Sequence, residues 1–320
     1  MTFPPLRAWP HAASPFHADS LRIQERLGVA ERLDTLGRRG VGAGLTEQHQ
    51  AFFPQLPFVV AASLDPRGQP WATLLFGEPG FVRADTAARL LVDAAPLPGD
   101  PLAASLVVGA TVGLLGIEPD QRRRNRVNGH IDAASDYGFS VRVDQAYGNC
   151  PKYIQRRAPR TAAVAVDTRA AIHLERLDAS ARRAITAADT LFIASAHPGA
   201  VDASHRGGKP GFVRVDADGT LTLPDFAGNS HFRTIGNLVG EPRAGLLFPD
   251  FASGDLLYLA VDVELVWDGE ELRSFAGAQR LLRCHVRAAV RLGAAMPLRY
   301  DDAADASPFL AVTGDWPAPA

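Results

Sequence analysis

Residues 202–213 read Asp202-Ala203-Ser204-His205-Arg206-Gly207-Gly208-Lys209-Pro210-Gly211-Phe212-Val213. A hydroxyl, an imidazole and two cations stand beside four glycine or proline positions. On a strand, alternation predicts Ser204 and Arg206 on one face and His205 on the other. The glycines let a backbone approach a flat ligand closely, because no Cβ intervenes. Downstream runs Asn229-Ser230-His231-Phe232-Arg233-Thr234-Ile235-Gly236-Asn237-Leu238. A helix over Ser230–Val239 would carry Ser230, Arg233 and Asn237 along one stripe. A helix start with free N–H groups, a hydroxyl and an arginine suits a phosphate. A capped amphipathic helix with a surface arginine explains the same residues equally simply.

The chain itself discriminates between these readings. Gly80-Phe81-Val82-Arg83 matches Gly211-Phe212-Val213-Arg214 at an offset of 131 (211 − 80), and Gly113-Leu114-Leu115 matches Gly245-Leu246-Leu247 at 132 (245 − 113). Two strings in the same order at nearly one offset imply an internal duplication. In the first copy Leu74, Leu75 and Glu78 stand for His205, Arg206 and Lys209, and Leu97, Pro101 and Ser105 for Asn229, Arg233 and Asn237. The apolar framework is kept while the polar set is absent. Residues needed only for folding would be needed in both copies, so one copy is expected to bind and the other to support it.

Around this stretch the texture is short apolar and β-branched runs between turn pairs. Strands are expected over Phe58–Ser63, Trp71–Phe76, Phe81-Val82, Leu106–Gly116 and Val141–Val143, then again over Leu191–Ala196, Phe212–Val215, Leu221–Leu223, Ala244–Phe248 and Leu256–Trp267. Asp65–Gly68 and Asp216–Gly219 read as turns, and Asp268-Gly269 as a tight hairpin. One helix is expected from Ser20 with Gly37 as its stop, a second after Thr46 as N-cap, and another over Ala278–Leu292. Phe3, Pro4, Pro5, Trp9 and Pro10 are expected along the surface. The four arginines within Gln121–Arg126 read as a solvated hairpin loop.

Composition narrows the function classes. With 33 basic and 35 acidic residues the net charge is −2, which gives no general attraction to nucleic acid or anionic membrane. Cys150 and Cys284 are too few and too far apart for a disulfide framework or a metal knuckle. His11, His17 and His49 are unevenly spaced and are read as scattered surface histidines. Gly40-Val41-Gly42-Ala43-Gly44 follows a helix, which makes it a loop and not a dinucleotide fingerprint. No secretory signal and no apolar run of roughly 20 residues is present, so no membrane partner and a cytoplasmic location are expected.

On the segments Asp202–Val213, Gly228–Leu238 and Pro242–Phe248 the chain resembles the pyridoxamine 5′-phosphate oxidase-like FMN-binding split-barrel proteins. The closest branch is a tandem-barrel one, some of whose members are fused to ferredoxin reductase and iron–sulfur modules. The resemblance implies a mainly β fold, with two split barrels forming an intramolecular pseudo-dimer flanked by helices. It divides the chain into a helical extension (1–55), a first half (56–145), a linker (146–185) and a second half (186–320) with the flavin site and a C-terminal helix.

The resemblance further implies that Arg233 and Thr234 hold the FMN phosphate. Ser204, His205, Arg206, Gly207 and the backbone of Pro210, Gly211, Phe212 and Val213 would line the ribityl chain and ring, with Asn229 and Asn237 positioning the segment. The link segment also looks like a family segment, so Asn149, Cys150, Lys152 and Tyr153 would reach in from the first half. An ordinary connection with Cys150 buried as a small apolar group is the other reading.

Catalysis would belong to the flavin, with His205 the best candidate acid or base. A small-molecule substrate or a redox partner is expected, with NADH or NADPH as donor and a homodimer compatible with the pattern. A flavin-binding module without turnover, or the same fold around deazaflavin or haem, remains open. The tandem arrangement departs from the single barrels that dimerise to oxidise pyridoxamine phosphate, which argues against that reaction itself.

Overall fold

The computed structural model describes residues 9–160, 170–301 and 305–317. The expectation for Phe3–Pro5 lies outside them, as does part of the expected linker. The chain opens with α1 (Ala18–Arg26), α2 (Ala30–Gly40) and α3 (Glu47–Phe52). The single helix expected from Ser20 is thus two, parted at Gly28, whose φ of 67° is left-handed. Gly37 lies inside α2 because Phe16 packs where a Cβ would stand. Thr46 caps α3 as expected, accepting from the backbone N–H of His49.

The first sheet is built from β1 (Phe58–Leu64), β2 (Pro70–Phe76), β3 (Val82–Thr86), β4 (Arg89–Val92), β5 (Thr111–Glu118), β6 (Arg123–Ser135) and β7 (Gly138–Gly148). Then follow β8 (Ile172–Leu174), α4 (Ala179–Ala187), β9 (Thr190–His197), β10 (Ala200–Gly207), β11 (Arg214–Val215), β12 (Leu221–Phe226), α5 (Arg233–Gly240), β13 (Arg243–Pro249), β14 (Leu256–Val266), α6 (Glu270–Ser274) and β15 (Ala278–Leu292). The fold is mainly β, in two antiparallel sheets.

Their strand orders coincide. The first runs β2-β1-β5-β6-β7-β4-β3 and the second β10-β9-β13-β14-β15-β12-β11, each strand replaced by the one eight later. Register coincides as well: Val60 faces Leu115 as Phe192 faces Leu247, and Ala62 faces Gly113 as Ala194 faces Gly245. The halves meet reciprocally. A Cβ on Gly113 would lie 2.5 Å from the carbonyl of Val201 in β10, and one on Gly245 would overlap the carbonyl of Pro70 in β2. The repeated Gly-Leu-Leu therefore marks where each half's hairpin crosses the other's sheet. A shared core of Val60, Leu74, Leu115, Phe192, Leu247 and Tyr258 fills the space between them.

Several local expectations are corrected. Ala278–Leu292 is a strand, not a helix, and no C-terminal α-helix follows it among the described residues. Leu282, Cys284 and Val286 alternate against β14 until a bulge beside Arg287 shifts the register. That one-residue slip is what imitated helical spacing. Asp268-Gly269 leads into α6 instead of closing a tight hairpin. Gln121–Arg126 is not a solvated loop: Arg123–Arg126 open β6, and Arg126 is buried. β7 takes in Ala146–Gly148, at the start of the segment read as the link. Among the described residues no helix is long and apolar enough to cross a membrane.

Candidate functional site

A cleft opens between the halves where β6 and the Asn149-Cys150 segment face β10, β12 and the start of α5. Local backbone shapes its rim. Ser230 and Phe232 hold left-handed φ values of 61° and 52°, and Phe232 is the N-cap of α5. The helix thus starts at Arg233 rather than Ser230, and Thr234 lies in its first turn, where amides lack intrahelical acceptors. Non-glycine residues in this conformation store strain and concentrate at functional sites.

Five arginines line the cleft: Arg124, Arg126, Arg206, Arg233 and Arg280. Two carboxylates answer them, Asp202 at 3.3 Å from Arg126 and Asp225 at 2.6 Å from Arg280 and 3.4 Å from Arg206. Burial alone would raise Asp202, but Arg126 and Arg233 hold it below the usual carboxylate range. Three positive charges (5 − 2) remain uncompensated by these acids. Arg126 donates to Ser204 Oγ at 2.5 Å and to the Tyr147 hydroxyl at 2.9 Å, and Thr234 Oγ1 donates to Ser204 Oγ at 3.0 Å. The Nε atoms of Arg126, Arg206 and Arg280 are buried without partners among the described residues. Unused buried donors at an excess of positive charge are a site for an anion.

His205 is buried and its Nδ1 lies 3.1 Å from Arg124 Nη1. A guanidinium only donates, so Nδ1 accepts and the proton resides on Nε2. Desolvation, then Arg124, Arg206 and Arg157, push its pKa well below the ordinary value. Burial, with Arg233 and Arg126 adding, takes His231 down to about 4. Both imidazoles are neutral at pH 7, which weakens the expectation that His205 exchanges protons there. Desolvation, with Arg126 adding, lowers Arg124 to about 9.

The structure brings Ser204, His205, Arg206, Asn229, Arg233, Thr234, Asn149 and Cys150 to the cleft. It does not bring there the rest of the expected set. Phe212 and Val213 are spent in the second half's core, Pro210 borders a different hollow and Gly211 is exposed. Gly207 packs under the Tyr153 carbonyl. Asn237 donates to Ser195 Oγ at 3.0 Å behind the helix. Lys152 lies over the Phe309 ring, and the Tyr153 hydroxyl donates to Ala227 O at 3.1 Å. Arg233 reaches backwards to Pro15 O (2.7 Å) and Gln145 Oε1 (2.5 Å). Sequence reasoning missed Arg124, Arg126, Asp225 and Arg280. The available signal for the first two was the alternation of Arg124 and Arg126, which places both on one face of a strand.

The duplicated half shows what the cleft would be without them. At the common offset Thr73 corresponds to Ser204, Tyr258 to Arg126 and Leu256 to Arg124. Counting back from β5 and β13, Leu102 corresponds to Thr234. There Asp100 accepts from Thr73 Oγ1, from the Tyr258 hydroxyl at 2.8 Å and from Leu102 N at 2.7 Å. Leu74, Leu256 and Tyr258 pack fully buried around it. A carboxylate of the chain fills the position from within.

Residues 45–174 match the family model described as pyridoxamine 5′-phosphate oxidase, a span that ends before the arginine-bearing β10 and α5. No curated protein sequence matches the chain significantly. Among solved structures, HupZ of Group A Streptococcus is 11% identical, with 41% of this chain and 98% of that one covered at a TM-score of 0.30. HutZ, the haem storage protein of Vibrio cholerae, is 14% identical over 37% and 95% at 0.27. An FAD-binding protein of Mesorhizobium loti is 14% identical over 38% and 96% at 0.28. Likeness at this level adds nothing to the assignment. The family model covers 130 of the 320 residues (174 − 45 + 1), and over that span the chain is similar to the pyridoxamine 5′-phosphate oxidase family.

Proposed function

We propose that the chain binds one flavin mononucleotide in the cleft between its halves and acts as a flavin-dependent oxidoreductase. NADH or NADPH would be the donor, and a small molecule or redox partner the acceptor. The observation that carries this reading is the filled counterpart. Asp100 shows that the hydroxyl, β14 side chain and turn amide of the duplicated position hold an anionic oxygen. The matching Ser204, Arg126 and Thr234 face open space with an excess of positive charge. These residues fit a phosphate: the unpartnered guanidinium nitrogens supply donors that nothing in the chain uses.

As the side chains stand, the cleft encloses about 100 Å³. That is room for a phosphate, and a three-ring system needs more space than the cleft holds as it stands. Bound flavin would supply hydride or electron transfer. The chain's own residues bind, orient and exclude water. His205 presents Nε2–H as a fixed donor because Arg124 occupies Nδ1, and Arg124 is itself anchored on the Cys150 carbonyl at 2.6 Å. Both halves contribute, so no second copy of the chain is needed to complete the site. Two unpaired thiols suit a reducing compartment such as the cytoplasm.

The test compares FMN with riboflavin by fluorescence titration of the flavin-free protein. FMN should bind at least about tenfold tighter, since a charge-assisted phosphate contact contributes about 1.5–3 kcal/mol. Equal affinities would show that the phosphate is misplaced. A colourless protein that cannot be reconstituted with FMN sinks the reading altogether, and the absorption spectrum separates flavin from deazaflavin or haem. A binding module without turnover is the second reading, favoured by the neutrality of both imidazoles in the cleft. Anaerobic bleaching of the yellow protein by NADH or NADPH decides between them.

A further inference from the structure

Beyond Arg233 lies a second and larger cavity of about 800 Å³, within the range of about 300–1,000 Å³ common for small-molecule sites. Its first wall is the segment Trp9–His17, its second comes from β6 and β7, and its third from the β9–β10 hairpin. The first wall is pinned in place. Trp9 N donates to Arg38 O at 2.8 Å, Arg38 donates to His11 O and Ala12 O at 3.1 and 3.0 Å, and Arg233 donates to Pro15 O.

The lining has a definite chemistry, and its two carboxylates are already engaged, Asp202 by Arg126 and Asn128 and Asp144 by His130 and Arg142. The His17 ring stacks on His197 at 4.2 Å and 25°, and Trp9 and Phe16 add aromatic surface. Burial, then the neighbouring His197 and Arg233, lowers His17 to about 4, and burial also lowers His197. The stacked pair is therefore an uncharged π surface at neutral pH. Two buried polar atoms of residues that line the cavity have no partner among the described residues, Asn128 Oδ1 and Arg233 Nε. Their residues are only 6% and 7% exposed. One accepts only; the other is a cationic donor.

We propose that this cavity is a second ligand site, for a flat aromatic or heteroaromatic carboxylic acid that carries an adjacent N–H or O–H donor. The carboxylate meets Arg233, the donor meets Asn128 Oδ1, and the ring lies against the histidine stack. Since Arg233 borders both cavities, the occupant lies next to the cleft. Its role as the flavin's reaction partner rests on the reading above; its binding does not.

Isothermal titration of the whole protein with anthranilate, benzoate and aniline tests this. Anthranilate should saturate at one per chain. Benzoate, lacking the donor, should bind about three- to tenfold weaker, and aniline, lacking the carboxylate, at least about tenfold weaker. His197→Ala and Trp9→Ala should each weaken anthranilate about three- to tenfold through lost ring contact, with the flavin absorbance unchanged. Absence of saturable binding, equal affinity for all three compounds, or indifference to both variants overturns the proposal. A colourless protein that still binds anthranilate defeats the flavin reading alone, and a yellow one that does not bind it defeats this proposal alone.

Discussion

Arg126 is the residue on which most of the cleft's polar order converges, since it joins Tyr147, Asp202 and Ser204. Arg126→Met should weaken FMN binding about tenfold or more, because one charge-assisted contact contributes about 1.5–3 kcal/mol. It also leaves Asp202 buried with less compensation, so a drop in melting temperature should accompany it. Arg126→Lys should restore part of the stability but less of the affinity, since a point charge replaces the planar fork. Titration of the variants with FMN and thermal melts read the two effects separately. His205 offers a different test at the same scale. A group already neutral at pH 7 contributes no protonation step near its ordinary value. If turnover is found, its pH profile should show no limb near 6.5 that His205→Gln abolishes.

The crossing of each β-hairpin over the opposite sheet rests on a glycine in β5 and another in β13. Gly113→Ala and Gly245→Ala place a methyl against fixed backbone of the other half, and each should cost about 1–3 kcal/mol by chemical denaturation. The two costs should be similar, because the elements they join are equivalent in order and register. A large cost at one and none at the other would count against the reciprocal contact. The helix α3 offers a local control: Thr46→Ala removes its capping box and should cost about 1 kcal/mol without touching the cleft.

At the scale of the whole molecule, the filled and open positions predict an asymmetry. Tyr258→Phe removes a donor from buried Asp100 and should cost about 1–3 kcal/mol, yet leave flavin content unchanged. Loss of flavin in this variant would mean the two positions are not independent. Stability should also fall as pH drops from 7 toward 4. The pKa of His205 is lowered well below its usual value, and those of His17, His49 and His231 to about 4. Between these values and about 6.5 the unfolded chain binds more protons than the folded one, so stability rises with pH. Asp100 opposes this trend. Burial raises it to about 6 and raises Glu118 as well, so their contribution is lost as pH rises through the folded values, but two carboxyls stand against five imidazoles, since His197 is lowered too. Melts at successive pH values check the net slope.

Much of this organisation is legible in the chain because a duplication carries its own control. Comparing Gly113-Leu114-Leu115 with Gly245-Leu246-Leu247, and Leu74-Leu75 with His205-Arg206, exposes a shared β framework and a polar set confined to one copy. Those are local facts: alternation, turn residues and identity at a common offset. Which residues meet was not local. β6 carries Arg126 across to Ser204, 78 positions away, and only the packing of one half on the other makes that pair. The same packing turns a run of arginines that reads as a solvated loop into the wall of a cleft, while Phe212 and Val213 are drawn into a core. The bulge that disguises β15 is decided by its partner β14, since a slip of register has no meaning until two strands lie side by side. The sequence by itself thus determined the class of fold, its duplication and the second half's share of the polar residues. The cleft was decided by tertiary structure, because a site between two halves exists only where distant segments bury their charges together.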